Sequence, residues 1–493
     1  MKRILSIIMA LSLLAVFLTS CAGEGNPAET TPHSNNTDSS TAETDELSPY
    51  EQAMKNLTTG SYGGYEFRVG VVDHGSWAEF DMAVEDQMGG QVNDAIYYRN
   101  ITVEEKLGIK ITQQIITDYN IITVMAQVPS EDNFDAMWIP CSRTGPYISS
   151  GVLLDLASVD TLDLENPWWK SKFNDSISIG NHIYSAAGDL NMVYYSAFGV
   201  CAFNYDLLND LDQSANLFEV YNSGDWTWEK MFDYMALAAD DLNGDGQMRA
   251  TDDRFGLGMH YNALKSFLSS SGFTIVQKDS NGYPVYNGVS EKFGDAYTKV
   301  IEKVANPQTS VIPGGITEGY GTSATGNYYD DTFIEGRQLF YIESSGALKR
   351  IKNGDVNFGI IGYPKYDENS DYHSPIYYGL SALSVLSSNS NLERTGTVLE
   401  NLGAYSYDKL TTAYVQNVLC YRYANDPESV NTLMNAFDTG ICDLAYIYNW
   451  ASMLERIQDA QRAGNTNYVS LFKKAEKSLT TAISNFNKSL GAE

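Results

Sequence analysis

From residue 65 onward, apolar positions alternate between short β-type runs and stretches of helical spacing. Residues 65–72 (YEFRVGVV) are rich in β-branched and aromatic side chains and predict a strand. Residues 91–107 place Val92, Ala95, Ile96, Val103 and Leu107 at roughly helical spacing. A second strand is predicted over 109–116 (IKITQQII), a helix over 119–128 and a third strand over 134–139 (FDAMWI). Strand and helix alternating at this pitch predict an α/β chain with a parallel sheet covered by helices. Further on, 182–187 and 198–204 read as extended, and a helix is expected between 204 and 215. Thr227 is a plausible N-cap for a helix over 227–239. Another helix is predicted over 286–305. Strands are expected at 338–343 and 356–361 with a helix near 346–352 between them, and 378–386 reads as extended. Residues 468–490 are amphipathic, with Leu471, Ala475, Leu479, Ile483, Phe486 and Leu490 on one face. No repeat of solenoid period is present.

The first residues follow a different pattern. Lys2 and Arg3 precede an apolar stretch over 4–18 that is long enough for a secretory signal but short for a membrane span. It ends Leu18-Thr19-Ser20-Cys21, which resembles the bacterial lipobox and implies a diacylglyceryl group on Cys21 after residues 1–20 are removed. Residues 21–59 are expected to be a disordered tether: 22–48 contain no aromatic residue, no Lys and no Arg, too little apolar surface to offset ordering. No later apolar run is long enough to cross a bilayer, so a lipid-anchored body on the extracellular face of the cell membrane is expected.

Composition narrows the class. The 493 residues are 43% hydrophobic and 19% charged, a globular balance with room for two or three domains. Sixty-two acidic residues against 32 basic give a formal charge of −30, which excludes nucleic acid as a partner. Five cysteines exclude a disulfide scaffold, and of the four left after lipidation Cys420 and Cys442 form a conceivable bridge, with buried free thiols as the alternative. Tyrosine is abundant, at 34.

One loop carries metal chemistry. Asp241, Asn243 and Asp245 fall at positions one, three and five of a twelve-residue calcium pattern, Gly246 at the sharp turn, Gln247 at position seven and Asp252 at position twelve. Arg249 at a position that often ligates through water, and Asp rather than Glu at the last, depart from the pattern. A structural calcium is expected, with an Asx-rich turn without metal as the alternative.

Several segments in order resemble the extracellular solute-binding proteins of ABC importers, in the family of maltose-type sugar binders. They are the lipobox and tether, 152–156 (VLLDL), 184–189 (YSAAGD), 203–207 (FNYDL), 225–229 (DWTWE), 241–246 (DLNGDG), Phe255-Gly256, 336–340 (GRQLF) and 357–364 (NFGIIGYP). The resemblance implies two α/β lobes joined by hinge strands, no catalytic residues, and a solute held between lobes that close on it. By resemblance, 60–190 with 338–378 form one lobe and 191–337 with 379–493 the other, with crossings near 188–195, 333–339 and 377–382.

Ligands of such a fold lie at the carboxyl ends of strands. That rule selects Asp73, His74 and Trp77, then Ser142 and Arg143, then Asp189, Asn191, Tyr194 and Tyr195 at the first crossing. Tyr261, the Gly-rich stretch 319–329, Tyr377 and Tyr378 complete the set. Aromatic faces with Asp, Asn and Arg suit a carbohydrate, whose C–H faces stack and whose hydroxyls accept and donate. The expectation is a monomeric receptor for an oligosaccharide that serves a membrane permease. The alternatives are a secreted glycoside hydrolase using paired carboxylates and a sensor that presents solute to a membrane kinase.

Overall fold

The computed structural model describes residues 47–492 except 76, 77, 79, 131, 132, 261, 262, 313–326 and 425. Cys21, the signal segment, most of the tether, Trp77, Tyr261 and residues 319–326 lie outside the described residues. Among the described residues, no helix is long and apolar enough to cross a membrane.

The principal strands are β1 (Tyr65–Val72), β2 (Ile109–Ile116), β3 (Ala136–Pro140), β4 (Gly199–Asn204), β5 (Phe255–Met259), β6 (Ser310–Val311), β7 (Gln338–Ser344), β8 (Phe358–Ile361) and β9 (Ser381–Ser384). They form two mixed sheets, ordered β9-β3-β1-β2 and β8-β4-β7-β5-β6. In the first, β1 runs parallel to β2 and β3, and β9 closes the edge antiparallel to β3. In the second, β5, β6 and β7 are parallel, and β4 runs antiparallel to both β7 and β8. All residues of β3, β4, β5, β7, β8 and β9 are buried, as expected of strands covered on both faces. The protein has an α/β fold of two lobes, one per sheet.

Helix Gln91–Leu107 crosses back over the first sheet from β1 to β2 and packs along helix Leu392–Thr411. Helix Trp228–Ala238 begins at Thr227, whose side chain accepts from Lys230 N at 3.3 Å, and buries Trp228, Met231 and Met235. The helix predicted over 286–305 starts later, at Glu291 with Ser290 as its cap, and its last turn, Val300–Val304, widens to a π-helix. The helix expected between 204 and 215 is Tyr205–Leu211, and a second short helix follows at Leu217–Asn222, each started by an Asn cap. The C-terminal helix Tyr468–Ser489 buries Phe472, Ala475, Leu479, Ile483 and Phe486, with Leu471 and Leu490 partly buried against the same core.

The expected lobe boundaries, one crossing and the end of the tether are corrected. Residues 338–378 do not join the first lobe, because β7 pairs with β4 and β5, and β8 pairs with β4. Nor does the chain from 379 stay in the second lobe: β9 pairs with β3, and helix Leu392–Thr411 covers the first sheet. The chain crosses in 186–198 and 376–381, which run antiparallel to each other through the bridges Ala186–Leu383 and Phe198–Ile376. It returns along the helical run that continues as the π-helix Thr412–Tyr423, and no crossing occurs at 333–339. The tether expected to 59 ends sooner: Pro49–Lys55 is a helix with a Ser48/Glu51 capping box, and the Tyr50 ring stacks on Tyr407 at 5.0 Å. No Cys420–Cys442 bridge forms, and Cys141, Cys201, Cys420 and Cys442 are free thiols.

A buried carboxylate fixes the loop that leads to the hinge. Glu400, 4% exposed, accepts from Trp168 Nε1, Trp169 Nε1, Asn166 Nδ2 and Asp163 N, each at 2.9 Å. Glu400→Ala would leave buried indole N–H groups without acceptors. It is expected to lower stability by about 2–4 kcal/mol, read from the midpoint of urea unfolding.

Candidate functional site

Parallel strands of the two lobes present their carboxyl ends at Val72, Ile116 and Pro140 in the first lobe, and at Met259 and Ser344 in the second. The connecting segments 186–198 and 376–381 lie between the two sheets. That is where an open α/β architecture places a ligand.

On the first lobe, Asp73 is exposed, and its carboxylate accepts from Gly75 N at 2.6 Å in a tight turn. His74 does not face solvent. It is 8% exposed, and its Nε2 lies 2.8 Å from Ser381 Oγ on β9. Burial pushes its imidazole down to about 4, so the ring is neutral at neutral pH. Arg143 is exposed beyond β3, with its guanidinium 4.4 Å from the centroid of the half-buried Tyr119 ring beyond β2. This pair is a planar, cationic and aromatic surface suited to a sugar ring. Ser142 is half-buried beside it.

The residues selected at the first crossing serve the hinge itself. Asp189 is fully buried, pairs with Lys170 Nζ at 2.7 Å and accepts from the Tyr195 hydroxyl at 2.9 Å. Burial and that carboxylate hold the Tyr195 phenol well above its ordinary range, so it remains a donor. Asn191 donates to Phe80 O at 2.7 Å and accepts from Val193 N at 2.9 Å. Tyr194 packs edge-on against Phe173 and Phe198 at 5.6 and 5.0 Å. Asp189 Oδ1, Asn191 and the Tyr195 hydroxyl are engaged within the protein, while Asp189 Oδ2 is buried without a hydrogen-bond partner.

On the second lobe, the chain leaving β5 brings half-buried His260 beside Tyr329, with ring centroids 6.3 Å apart. The following helix, Ala263–Ser269, carries Lys265, whose ammonium lies 4.2 Å from the centroid of the Tyr378 ring. Tyr377 reaches Tyr363 across 3.5 Å, hydroxyl to hydroxyl. Glu343, near the end of β7, accepts from Arg350 at 3.0 Å and from Tyr329 at 3.3 Å. Arg350 also pairs with the fully buried Asp330 at 3.1 Å. Burial raises the Asp330 carboxyl, and the surrounding acids hold the Arg350 guanidinium above its usual range. Tyr378 is thus the residue of the sequence-based set that meets a second-lobe cation. Lys265 and His260 are additions, and the signal for Lys265 was a lone charge in the apolar run ALKSFL.

The expected calcium loop sits at the other end of the second sheet, between helix Trp228–Ala238 and the start of β5. Its spacing fits a small hard cation. Gly244 and Gly246, at φ 72° and 78°, let both Asp241 carboxylate oxygens accept backbone N–H groups at 2.8 and 2.7 Å. Asn243 and Asp245 accept from Asp245 N and Gln247 N at 2.9 and 2.8 Å. Arg249 departs from the fit: its guanidinium bonds Asp245, and it also donates to Gln247 Oε1 at 2.7 Å. Asp252 accepts from Thr251, at 3.0 Å. Among the described residues, no three His, Cys, Asp or Glu side chains converge as a metal-binding group. A surface depression of about 410 Å³ near Asn204, Arg254 and Arg337 lies at this same end, away from the carboxyl ends of β5 and β7.

No family model matches the chain, and no curated protein does. Its fold does match solved structures. One is the GacH receptor of Streptomyces glaucescens GLA.O, studied unliganded and with acarbose: TM-score 0.52, 15% identity, covering 88% of this chain and 100% of that one. Another is the ABC substrate-binding protein Lmo0181 of Listeria monocytogenes, in complex with cycloalternan: TM-score 0.52, 12% identity, covering 87% and 100%. A third is a cyclo/maltodextrin-binding protein complexed with maltotetraose: TM-score 0.53, 13% identity, covering 87% and 97%. The chain shares the two-lobed fold of these sugar-binding proteins.

His74 supplies a pH test. Its folded pKa of about 4 lies below the usual histidine range near 6.5. Between these values the unfolded chain binds the proton at His74 and the folded one does not, so the contribution of His74 lowers stability as pH drops through that window. The loss is expected to reach about 3 kcal/mol. Buried Glu400 and Asp443, raised to about 7 and about 6, act in the opposite sense, so the test is the difference between the two profiles: His74→Gln is expected to remove a loss of about 3 kcal/mol between about pH 6.5 and 4, measured by urea unfolding of both chains at each pH.

Proposed function

We propose that the protein is a lipid-anchored extracellular receptor that captures an oligosaccharide between its lobes by hinge closure and delivers it to an ABC importer. The observation that carries this reading is the pair of lobes, with strand ends converging on the paired segments 186–198 and 376–381. The same fold holds acarbose, cycloalternan and maltotetraose in the three solved proteins. The exposed Arg143–Tyr119 stack on one lobe, and Tyr378 with Lys265 on the other, provide aromatic faces and donors of the kind a sugar needs. A ligand touching both lobes stabilises the closed arrangement over the open one. Cys21 behind Leu18-Thr19-Ser20 supports the anchor, and the acid-rich segment behind it supports a spacer. Those three proteins are binding proteins, which supports capture without catalysis.

The test is a thermal-unfolding screen of the full-length chain against oligosaccharides, monosaccharides and short peptides. An oligosaccharide at about 100 times its Kd is expected to add roughly 2.7 kcal/mol of stability and to be recovered intact. Stabilisation by peptides alone would overturn the sugar assignment, and recovery of cleaved sugar would establish a hydrolase.

For the loop at 241–252, calcium is proposed as a structural clamp in which the ion replaces the Arg249 guanidinium as the partner of Asp245. A chelator is expected to lower Tm, and elemental analysis to find about one calcium per chain. An unchanged Tm with no metal detected would leave the loop held by Arg249 and its own backbone.

A further inference from the structure

Lys265 is 2% exposed, yet among the described residues no hydrogen-bond or ion-pair acceptor meets its ammonium. Its close contact is the Tyr378 ring face at 4.2 Å, at the junction of the second lobe and the hinge. A buried ammonium without an acceptor is costly, and the ring quadrupole offsets only part of that cost. Burial accordingly pulls the amine down to about 8. The nearby acids are already engaged. Glu455 accepts from Asn449 Nδ2 at 3.0 and 3.1 Å, and Glu343 accepts from Arg350 and Tyr329. Arg462 adds repulsion, depressing both Lys265 and His260, and Arg350 depresses His260 as well. Glu455 acts favourably on the Lys265 ammonium from a distance, but among the described residues no anionic oxygen meets it in contact.

We propose that the site takes a saccharide bearing an anionic group, a carboxylate or a sulfate, which pairs with Lys265 Nζ over the Tyr378 ring. A neutral hydroxyl could accept one hydrogen bond there but would leave the charge without a counter-ion. An anionic oxygen supplies both. This inference rests on the sugar-receptor reading and narrows its substrate class.

The test is titration calorimetry of the full-length chain against neutral, uronate-containing and sulfated oligosaccharides matched in length, with maltotetraose among the neutral ones. An acidic member is expected to bind at least about tenfold tighter than its neutral counterpart, and the carboxylated and sulfated arms identify the group. Lys265→Met is expected to weaken acidic binding roughly 10- to 100-fold, clearly more than it weakens neutral binding, and Lys265→Arg to retain most of it. Equal or tighter binding of neutral sugars by the unmodified chain would overturn the proposal while the receptor reading stands. That comparison requires no variant to fold. Binding by no saccharide of any charge would overturn both.

Discussion

The contact on which the two-lobed arrangement depends is the buried pair between Lys170 and Asp189. Asp189 sits where the chain leaves the first lobe, and its carboxylate is fully buried. Burial of one charge alone at that point would be costly, so the pair must stay together. Lys170 is held in turn by the loop before it, which Glu400 clamps through Trp168 and Trp169. Asp189 N also donates to Trp168 O at 2.8 Å. Gly188 is required beside this contact, because a Cβ there would fall 2.7 Å from the Trp169 ring. A continuous path of hydrogen bonds thus runs from helix Leu392–Thr411 to the hinge. Breaking a buried pair by removing one partner typically costs about 3–5 kcal/mol, far more than an exposed ion pair contributes.

The same logic explains how much of the fold the sequence revealed. Strand and helix periods are local, so β1, helix Gln91–Leu107 and β2 stand where the pattern predicts them. Lobe membership is not local. β7 and β9 are both short apolar runs, and nothing within either run states that one pairs with β4 and the other with β3. The helix at Pro49–Lys55 was legible: Ser48-Pro49-Tyr50-Glu51 is a capping box with proline at the first turn. The polar segment before it masks that signal, because it extends the composition of a tether up to Ser48.

The candidate site was legible at the level of which strand ends to inspect, and less so at the level of atoms. Asp189, Asn191 and Tyr195 look free in sequence because their partners, Lys170, Phe80 and Asp189 itself, are brought in by folding. His74 is likewise claimed by Ser381, far along the chain. Lys265 gave the opposite impression. In sequence, a lysine amid Ala, Leu, Ser and Phe reads as a surface break in an apolar helix, yet every residue of that helix is buried. Tertiary packing, not the local pattern, decides which polar side chains remain available.

Net charge and local charge point in opposite directions here, and their ranges decide which governs a ligand. The chain carries a formal charge of −30, which opposes the approach of any anion. That field comes from many charges spread over the whole chain and is screened beyond about 8 Å at physiological salt. Lys265 acts at contact distance and inside the protein, where a unit charge pair at 4 Å is worth about 4 kcal/mol at an effective dielectric of 20. The acidic body therefore slows the encounter, chiefly at low salt, while the buried cation sets what is retained. Selectivity resides in the retained state, because affinity differences between related ligands lie mainly in dissociation rates. An acidic surface and one buried cation are compatible in one chain, because the first acts through a screened long-range field and the second at contact distance.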